Sequence, residues 1–265
     1  MLHTDHYAPP IPADQPPLLI AHGLFGSARN WSAIARRLSQ RRRVVTVDMR
    51  NHGASPWNNS HSYADLASDL AQVIADQDTA MDVLGHSMGG KAAMQLALTR
   101  PDLVGRLVIA DIAPVAYDHD QTHHVTAMQT LDLTGITTRA EADRRLARTT
   151  PDPSLRAFFL QSLDLKSENS PHWRLNLATL AHEMPKIVGW PGTQGPFLGP
   201  TLFLTGADST YVRPEHRDPI RTLFPKARFA RIAGAGHWLH AEKPREFSET
   251  VDVFLTSGRQ GARIA

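Results

Sequence analysis

The sequence predicts an α/β fold: a mostly parallel central sheet flanked by helices, with an inserted helical cap. Three observations lead there. Short, continuously apolar runs alternate with amphipathic helical stretches over residues 1–114, the rhythm of strands buried on both faces and joined by crossover helices. That rhythm lapses over 115–200 and returns over 201–265, so the outer segments are read as one core domain and the middle one as the cap. Finally, each strand-like run breaks at a turn carrying glycine, serine, histidine or aspartate.

In chain order, Leu18 to Ala21 is a buried strand feeding the turn His22-Gly23-Leu24-Phe25-Gly26. Trp31, Ile34, Ala35 and Leu38 then repeat at helical spacing. The arginines 41 to 43 precede a second strand, Val44 to Val47, which ends in Asp48-Met49-Arg50-Asn51-His52-Gly53. Tyr63, Leu66, Leu70, Val73 and Ile74 line the next helix, with Ser62 and Asp65 suited to its first turn. A third run, 81–84, breaks at Gly85-His86-Ser87-Met88-Gly89 and continues as a helix to about Arg100, where Pro101 stops it. The run 107–110 ends in Asp111-Ile112-Ala113-Pro114. Within the cap only short helices are read, at 140–148 and 155–163, and its polar loop at 168–171 is expected to let it move. The strand pattern resumes at 201–208 and again at 227–233, the latter leading to Gly234-Ala235-Gly236-His237. A last helix carries Phe247, Val251, Phe254 and Leu255, and residues 257–265 are expected to fray.

Composition narrows the function. The 265 residues, 42% hydrophobic, suffice for a sizeable core. Lys+Arg 28 against Asp+Glu 26 leaves a net charge of +2, too little to steer the chain to nucleic acid or an anionic membrane. Without cysteine there is neither a disulfide nor a thiolate nucleophile. The first 17 residues are polar and proline-rich, unlike a secretory signal, and no run approaches the ~20 apolar residues of a membrane helix. A cytoplasmic protein acting on a small molecule is the expectation; the oligomeric state is left open.

The strand ends carry the chemistry. In an open parallel sheet the carboxyl ends of the strands share one edge, where ligands bind. The spacing of Gly85, Ser87 and Gly89 is that of a nucleophile elbow, a sharp strand-to-helix turn that lifts a serine hydroxyl clear of the sheet. Ser87 is then the nucleophile, His237 the general base and later acid, and an aspartate the group that fixes the imidazole. Backbone N–H groups of Met88 and Leu24 are placed as the oxyanion hole. The turns His22-Gly23, 48–53, 85–90, 111–114 and 234–237 together resemble the α/β-hydrolase-fold serine esterases. More narrowly, residues 22–27, Lys91, Asp111-Ile112-Ala113-Pro114-Val115, Trp173-Arg174-Leu175-Asn176 and Gly236 to Pro244 resemble the YbfF-type bacterial esterases. The resemblance implies hydrolysis of short-acyl esters, with acyl thioesters as a further class, and no cofactor.

Two aspartates compete for the acid. In most of that superfamily the acid lies three residues beyond the glycine ending the strand after the cap; counted from Gly206 that position is Ser209, which cannot carry the charge. Asp208 is one residue short of it, whereas Asp111 ends the strand beside the nucleophile strand, the position the YbfF-type resemblance also implies. Asp111 is placed first, with Asp208 as the alternative. His22, His52, His86 and Arg50 are read as architectural, and no metal is expected, because no carboxylate cluster accompanies His237 and His240. Phe25, Trp173 and Trp238 are expected to line the substrate pocket, the other cap aromatics being mostly core. The same triad would serve a cofactor-free haloperoxidase-like perhydrolase or a C–C bond hydrolase, and a catalytically vestigial binding protein is the alternative of another class.

Overall fold

The computed structural model describes residues 1–11, 14–118, 121–166, 170–192 and 195–257. Its strands are β1 (Thr4–Tyr7), β2 (Leu18–Ala21), β3 (Val44–Val47), β4 (Met81–His86), β5 (Val104–Ala110), the two-residue pair β6 (Leu163–Asp164) and β7 (His172–Trp173), β8 (Thr201–Gly206) and β9 (Ala227–Ile232). The helices are α1 (Ser32–Leu38), α2 (Tyr63–Ala75), α3 (Met88–Thr99), α4 (Thr122–Gln129), α5 (Arg139–Leu146), α6 (Pro153–Leu160), α7 (Leu177–His182), α8 (Met184–Val188), α9 (Arg217–Leu223), α10 (Leu239–Glu242) and α11 (Pro244–Thr256).

Seven strands form the main sheet in the order β1-β3-β2-β4-β5-β8-β9, parallel except for β1. Because side chains alternate along a strand, each continuously apolar strand feeds two cores. Leu18, Ile20, Leu84 and Val108 face Trp31, Ile34, Phe247 and Val251 on one side. Leu19, Ala21, Val83 and Ile109 face Leu66, Leu70, Ala93 and Leu96 on the other. The antiparallel edge strand β1 is absent from the sequence reading: mostly half-buried and followed by Pro9 and Pro10, Thr4–Tyr7 has no apolar run to announce it and is fixed by pairing with β3.

The segment between β5 and β8 contributes α4 to α8 and the β6/β7 pair. Two of its helices stand close to expectation, at Arg139–Leu146 and Pro153–Leu160, each started by a side-chain cap, Thr138 onto Glu141 N–H and Asp152 onto Ser154 N–H. The segment is stitched to the loop after β3: His52 pairs with Leu175, Gly53 N–H donates to Arg174 O at 2.8 Å, and Asn176 N–H donates to Asn51 O at 3.0 Å. The expected movement about 168–171 rests partly on residues 167–169, and the expected fraying on 258–265, all outside the described residues. Among the described residues no helix is long and apolar enough to cross a membrane.

Candidate active site

Ser87 sits between β4 and α3 with φ 52° and ψ −120°, a left-handed conformation costly for a residue with a Cβ. Its glycines are required by contact. A Cβ on Gly85 would overlap Gly89 O, and one on Gly89 would overlap Ala21 O and His22 O, so α3 can start this close to β2 only without those carbons. The turn after β2 presses on the same point: a Cβ on Gly23 would lie 2.9 Å from His86 Nδ1 and 3.2 Å from Ser87 Cβ.

That turn is fixed by two buried histidines. His22 Nε2 accepts Met49 N–H at 2.9 Å, which makes Nδ1 the protonated nitrogen, donating to Gly23 O at 2.7 Å. His52 Nε2 likewise accepts Phe25 N–H at 3.1 Å and its Nδ1 donates to Arg50 O at 2.9 Å, holding Phe25 at φ 64°. Burial lowers the His22 imidazolium to about 4 and that of His52 to about 3, so both rings are neutral at pH 7. Gly26 N–H donates to Gly23 O at 3.0 Å. With the Phe25 and Gly26 donors engaged inside the protein, Leu24 N–H is the donor the turn can offer outward. Met88, first residue of α3, is one of the helix-opening residues whose N–H has no intrahelical acceptor.

His237 lies in the turn between β9 and α10, and its Nδ1 is 2.8 Å from Asp111 Oδ2. The carboxylate is fully buried, and it also accepts Gly206 N–H at 3.2 Å on Oδ1 and the Ser209 hydroxyl on Oδ2. A proton on Nδ1 leaves His237 Nε2 as the basic nitrogen. Two further contacts hold the ring: Tyr211 stacks on it with centroids 3.7 Å apart and planes at 15°, and His86 Nε2–H donates to His237 O at 2.9 Å. Burial, aided by His240 and His237, keeps His86 uncharged. Ser87 and Asp111 immediately follow the neighbouring strands β4 and β5, which are joined there by Ser87 N–H donating to Ala110 O at 3.1 Å.

Asp208, the alternative acid, is solvent-exposed, and its backbone N–H donates to Ala235 O. Ser209, at the position where a carboxylate was first sought, instead braces Asp111 and accepts Tyr211 N–H at 3.2 Å. His240 stacks on Trp31 with centroids 4.2 Å apart; among the described residues no group of three or more His, Asp or Glu could hold a metal.

One cavity collects Leu24, Phe25, Ser87, Met88, His237 and Trp238. Trp173 is a correction: it does not line this cavity, because its indole N–H donates to Met128 O at 2.9 Å and pins β7 to α4 inside the inserted segment. Sequence reasoning had no means of finding Tyr211 or Tyr117, lone aromatics in loops, whose hydroxyl and carbonyl meet at 2.8 Å behind His237. Phe159, read as packing, lines the cavity against Phe25, with centroids 5.4 Å apart.

Residues 16–244 match the model of the alpha/beta hydrolase fold family, and the chain belongs to that family. Within it the chain is related to the esterases that include YbfF. It is 38% identical over 243 residues to esterase YbfF of Escherichia coli, spanning 90% of this chain and 92% of that one. It is also 42% identical over 253 residues to the sn-1-specific diacylglycerol lipase ABHD11 of Mus musculus, covering 92% and 82%. Among solved structures a marine microorganism esterase superposes with a TM-score of 0.90 at 34% identity, covering 96% and 98%.

Proposed function

We propose that this carboxylic-ester hydrolase cleaves short-acyl esters through an acyl-enzyme on Ser87, with His237 as base and Asp111 as the orienting acid. The observation that carries the reading is the 2.8 Å contact between His237 Nδ1 and the buried Asp111 carboxylate, beside a strained serine in the same cavity. In the first half-reaction Ser87 Oγ bonds to the ester carbonyl carbon while its proton passes to His237 Nε2. Asp111 stabilises the imidazolium so formed. The carbonyl oxygen, now an oxyanion, takes hydrogen bonds from Leu24 and Met88 N–H, each worth about 3 kcal/mol to the transition state. The bond to the alcohol oxygen then breaks, and that oxygen leaves with the proton from His237. In the second half water repeats the attack on the acyl-serine, gives its proton to His237, and the acid departs as Ser87 regains its proton. Phe25 and Trp238 line the acyl and alcohol space, and the segment 115–200 serves as its cap. Thioesters would enter by the same steps.

A fluorophosphonate probe tests the reading. It should label the protein at Ser87 and abolish turnover of p-nitrophenyl butyrate, and Ser87→Ala should neither label nor turn over. Faster consumption of a vinylogous diketone, or peroxide-dependent peracid formation exceeding ester hydrolysis, would count against it, and full activity in Ser87→Ala would end it.

A further inference from the structure

The lining of the cavity is uneven in burial. Asn30, Gln121, His124 and Trp238 are half-buried, whereas Tyr63, Ile112, Ile187 and Lys91 are buried, with half-buried Tyr117 and Val188 beside the lysine. Lys91 is unexpected there. It is 1% exposed, one helical turn beyond Ser87 on α3, with its N–H donating to Ser87 O at 3.0 Å. Its ammonium donates to Val188 O at 2.9 Å and Gly189 O at 2.6 Å, and lies 4.8 Å from the centroid of the Tyr117 ring. An ammonium has three N–H donors, and these two carbonyls take two.

Among the described residues no carboxylate pairs with it. Val188 and Gly189 at the end of α8 offer carbonyls, while Tyr63 of α2 and Tyr117 offer ring faces and hydroxyls engaged elsewhere, to Ile187 O at 2.6 Å and Tyr211 O at 2.8 Å. Burial lowers the ammonium to about 7, the mark of a cation that the protein alone compensates poorly. A buried charge without a counter-ion is expensive, and a methionine would fill the same space. A ligand in this cavity that carries a negative charge would meet this group, since Lys91 lines it together with Ser87.

We propose that Lys91 is a specificity residue that receives a carboxylate at the far end of the acyl chain, so that the preferred substrates are half-esters of short dicarboxylic acids. The proposal rests on Ser87 being the nucleophile: the acyl carbonyl is then held at the elbow, and Lys91, whose N–H donates to Ser87 O at 3.0 Å, lines the same cavity. It excludes bulky uncharged acyl ends, which would leave the cation buried without a counter-ion, and it accounts for a buried lysine in a lining whose other buried side chains carry no charge.

The test compares monoethyl succinate, glutarate and adipate with ethyl butyrate, valerate and hexanoate, followed by pH-stat, for the wild-type chain and Lys91→Met. The expected result is a kcat/KM at least tenfold higher for one half-ester than for its methyl-ended counterpart, with that ratio falling at least tenfold in Lys91→Met. A wild-type ratio at or below one for every chain length overturns the proposal. So does a ratio unchanged in Lys91→Met, which would make the lysine a cap for α8 and nothing more. If Lys91→Met does not fold, product inhibition of the wild type decides: adipate must inhibit p-nitrophenyl butyrate hydrolysis more tightly than hexanoate, and equal or weaker inhibition refutes the assignment. Hydrolysis of the neutral esters alone would overturn the role of Lys91 and leave the esterase reading standing, whereas hydrolysis of neither series would overturn both.

Discussion

Replacing Asp111 by asparagine should inactivate the enzyme through the wrong imidazole tautomer. Asp111 Oδ1 accepts Gly206 N–H, and Oδ2 accepts both His237 Nδ1–H and the Ser209 hydroxyl. An asparagine has a single oxygen for these seats. If the oxygen faces Gly206, the amide NH₂ faces His237 and drives the proton to Nε2, so no base is left toward Ser87. If the oxygen faces His237, the NH₂ confronts the Gly206 N–H donor. Either way the imidazolium loses a buried counter-charge, and kcat should fall by ~10⁴, about 5.5 kcal/mol of barrier. The exposed Asp208 gives the contrast: Asp208→Asn should stay within about twofold of wild type, in line with a surface change remote from the site. Steady-state hydrolysis of p-nitrophenyl butyrate reads both variants, with thermal unfolding recorded beside it to separate lost chemistry from lost structure. Collapse in Asp208→Asn with Asp111→Asn within tenfold of wild type would refute the reasoning.

Buried neutral histidines make the fold acid-sensitive. Because the His22 ring titrates near 4 in the folded chain and near 6.5 when unfolded, the unfolded state binds more protons between those values. Its contribution is complete above about pH 6.5 and shrinks as pH falls toward 4, by about 3 kcal/mol for this ring alone. The urea midpoint at pH 4.5 should therefore lie well below that at pH 7.5, and equal midpoints would contradict the burial argument. Gly89→Ala places a Cβ on the carbonyls of Ala21 and His22 and should cost about 1–3 kcal/mol in denaturant unfolding together with most of the activity. Ser209→Ala removes one donor to Asp111 and the acceptor for Tyr211 N–H, so kcat should drop about tenfold with KM little changed; an unaltered kcat would show that the serine does not brace the acid.

The parallel part of the sheet is legible because each strand must be apolar on both faces, and the reading of Leu18–Ala21, Val44–Val47 and Thr201–Gly206 needs nothing more. β1 escapes because it is a half-buried edge strand whose order comes from its partner. At the site, the glycine spacing signals the elbow, since Gly85 and Gly89 have no room for a Cβ. The choice between Asp111 and Asp208 depends on where one turn directs a side chain, a property of tertiary packing that two aspartates far apart in the sequence do not record. Trp173 misleads for the opposite reason: a large aromatic in an inserted segment suits a pocket wall and a packing peg equally well, and the acceptor at Met128 decides. The setting of Lys91 is invisible beforehand, because the carbonyls that hold it come from residues 97 and 98 positions away.

The hydrogen bond from Ser87 N–H to Ala110 O ties the elbow to the residue immediately before Asp111. Ser87 and Asp111 thus follow the ends of two adjacent strands, whose pitch of roughly 4.8 Å sets how far apart the two turns begin. Loops around the rim can lengthen, shorten or exchange side chains to suit new esters while this gauge stays constant. Remodelling of substrate preference in this chain is therefore free to proceed in the segment above the sheet, and a change in the spacing of its charged machinery would have to begin by breaking the sheet itself.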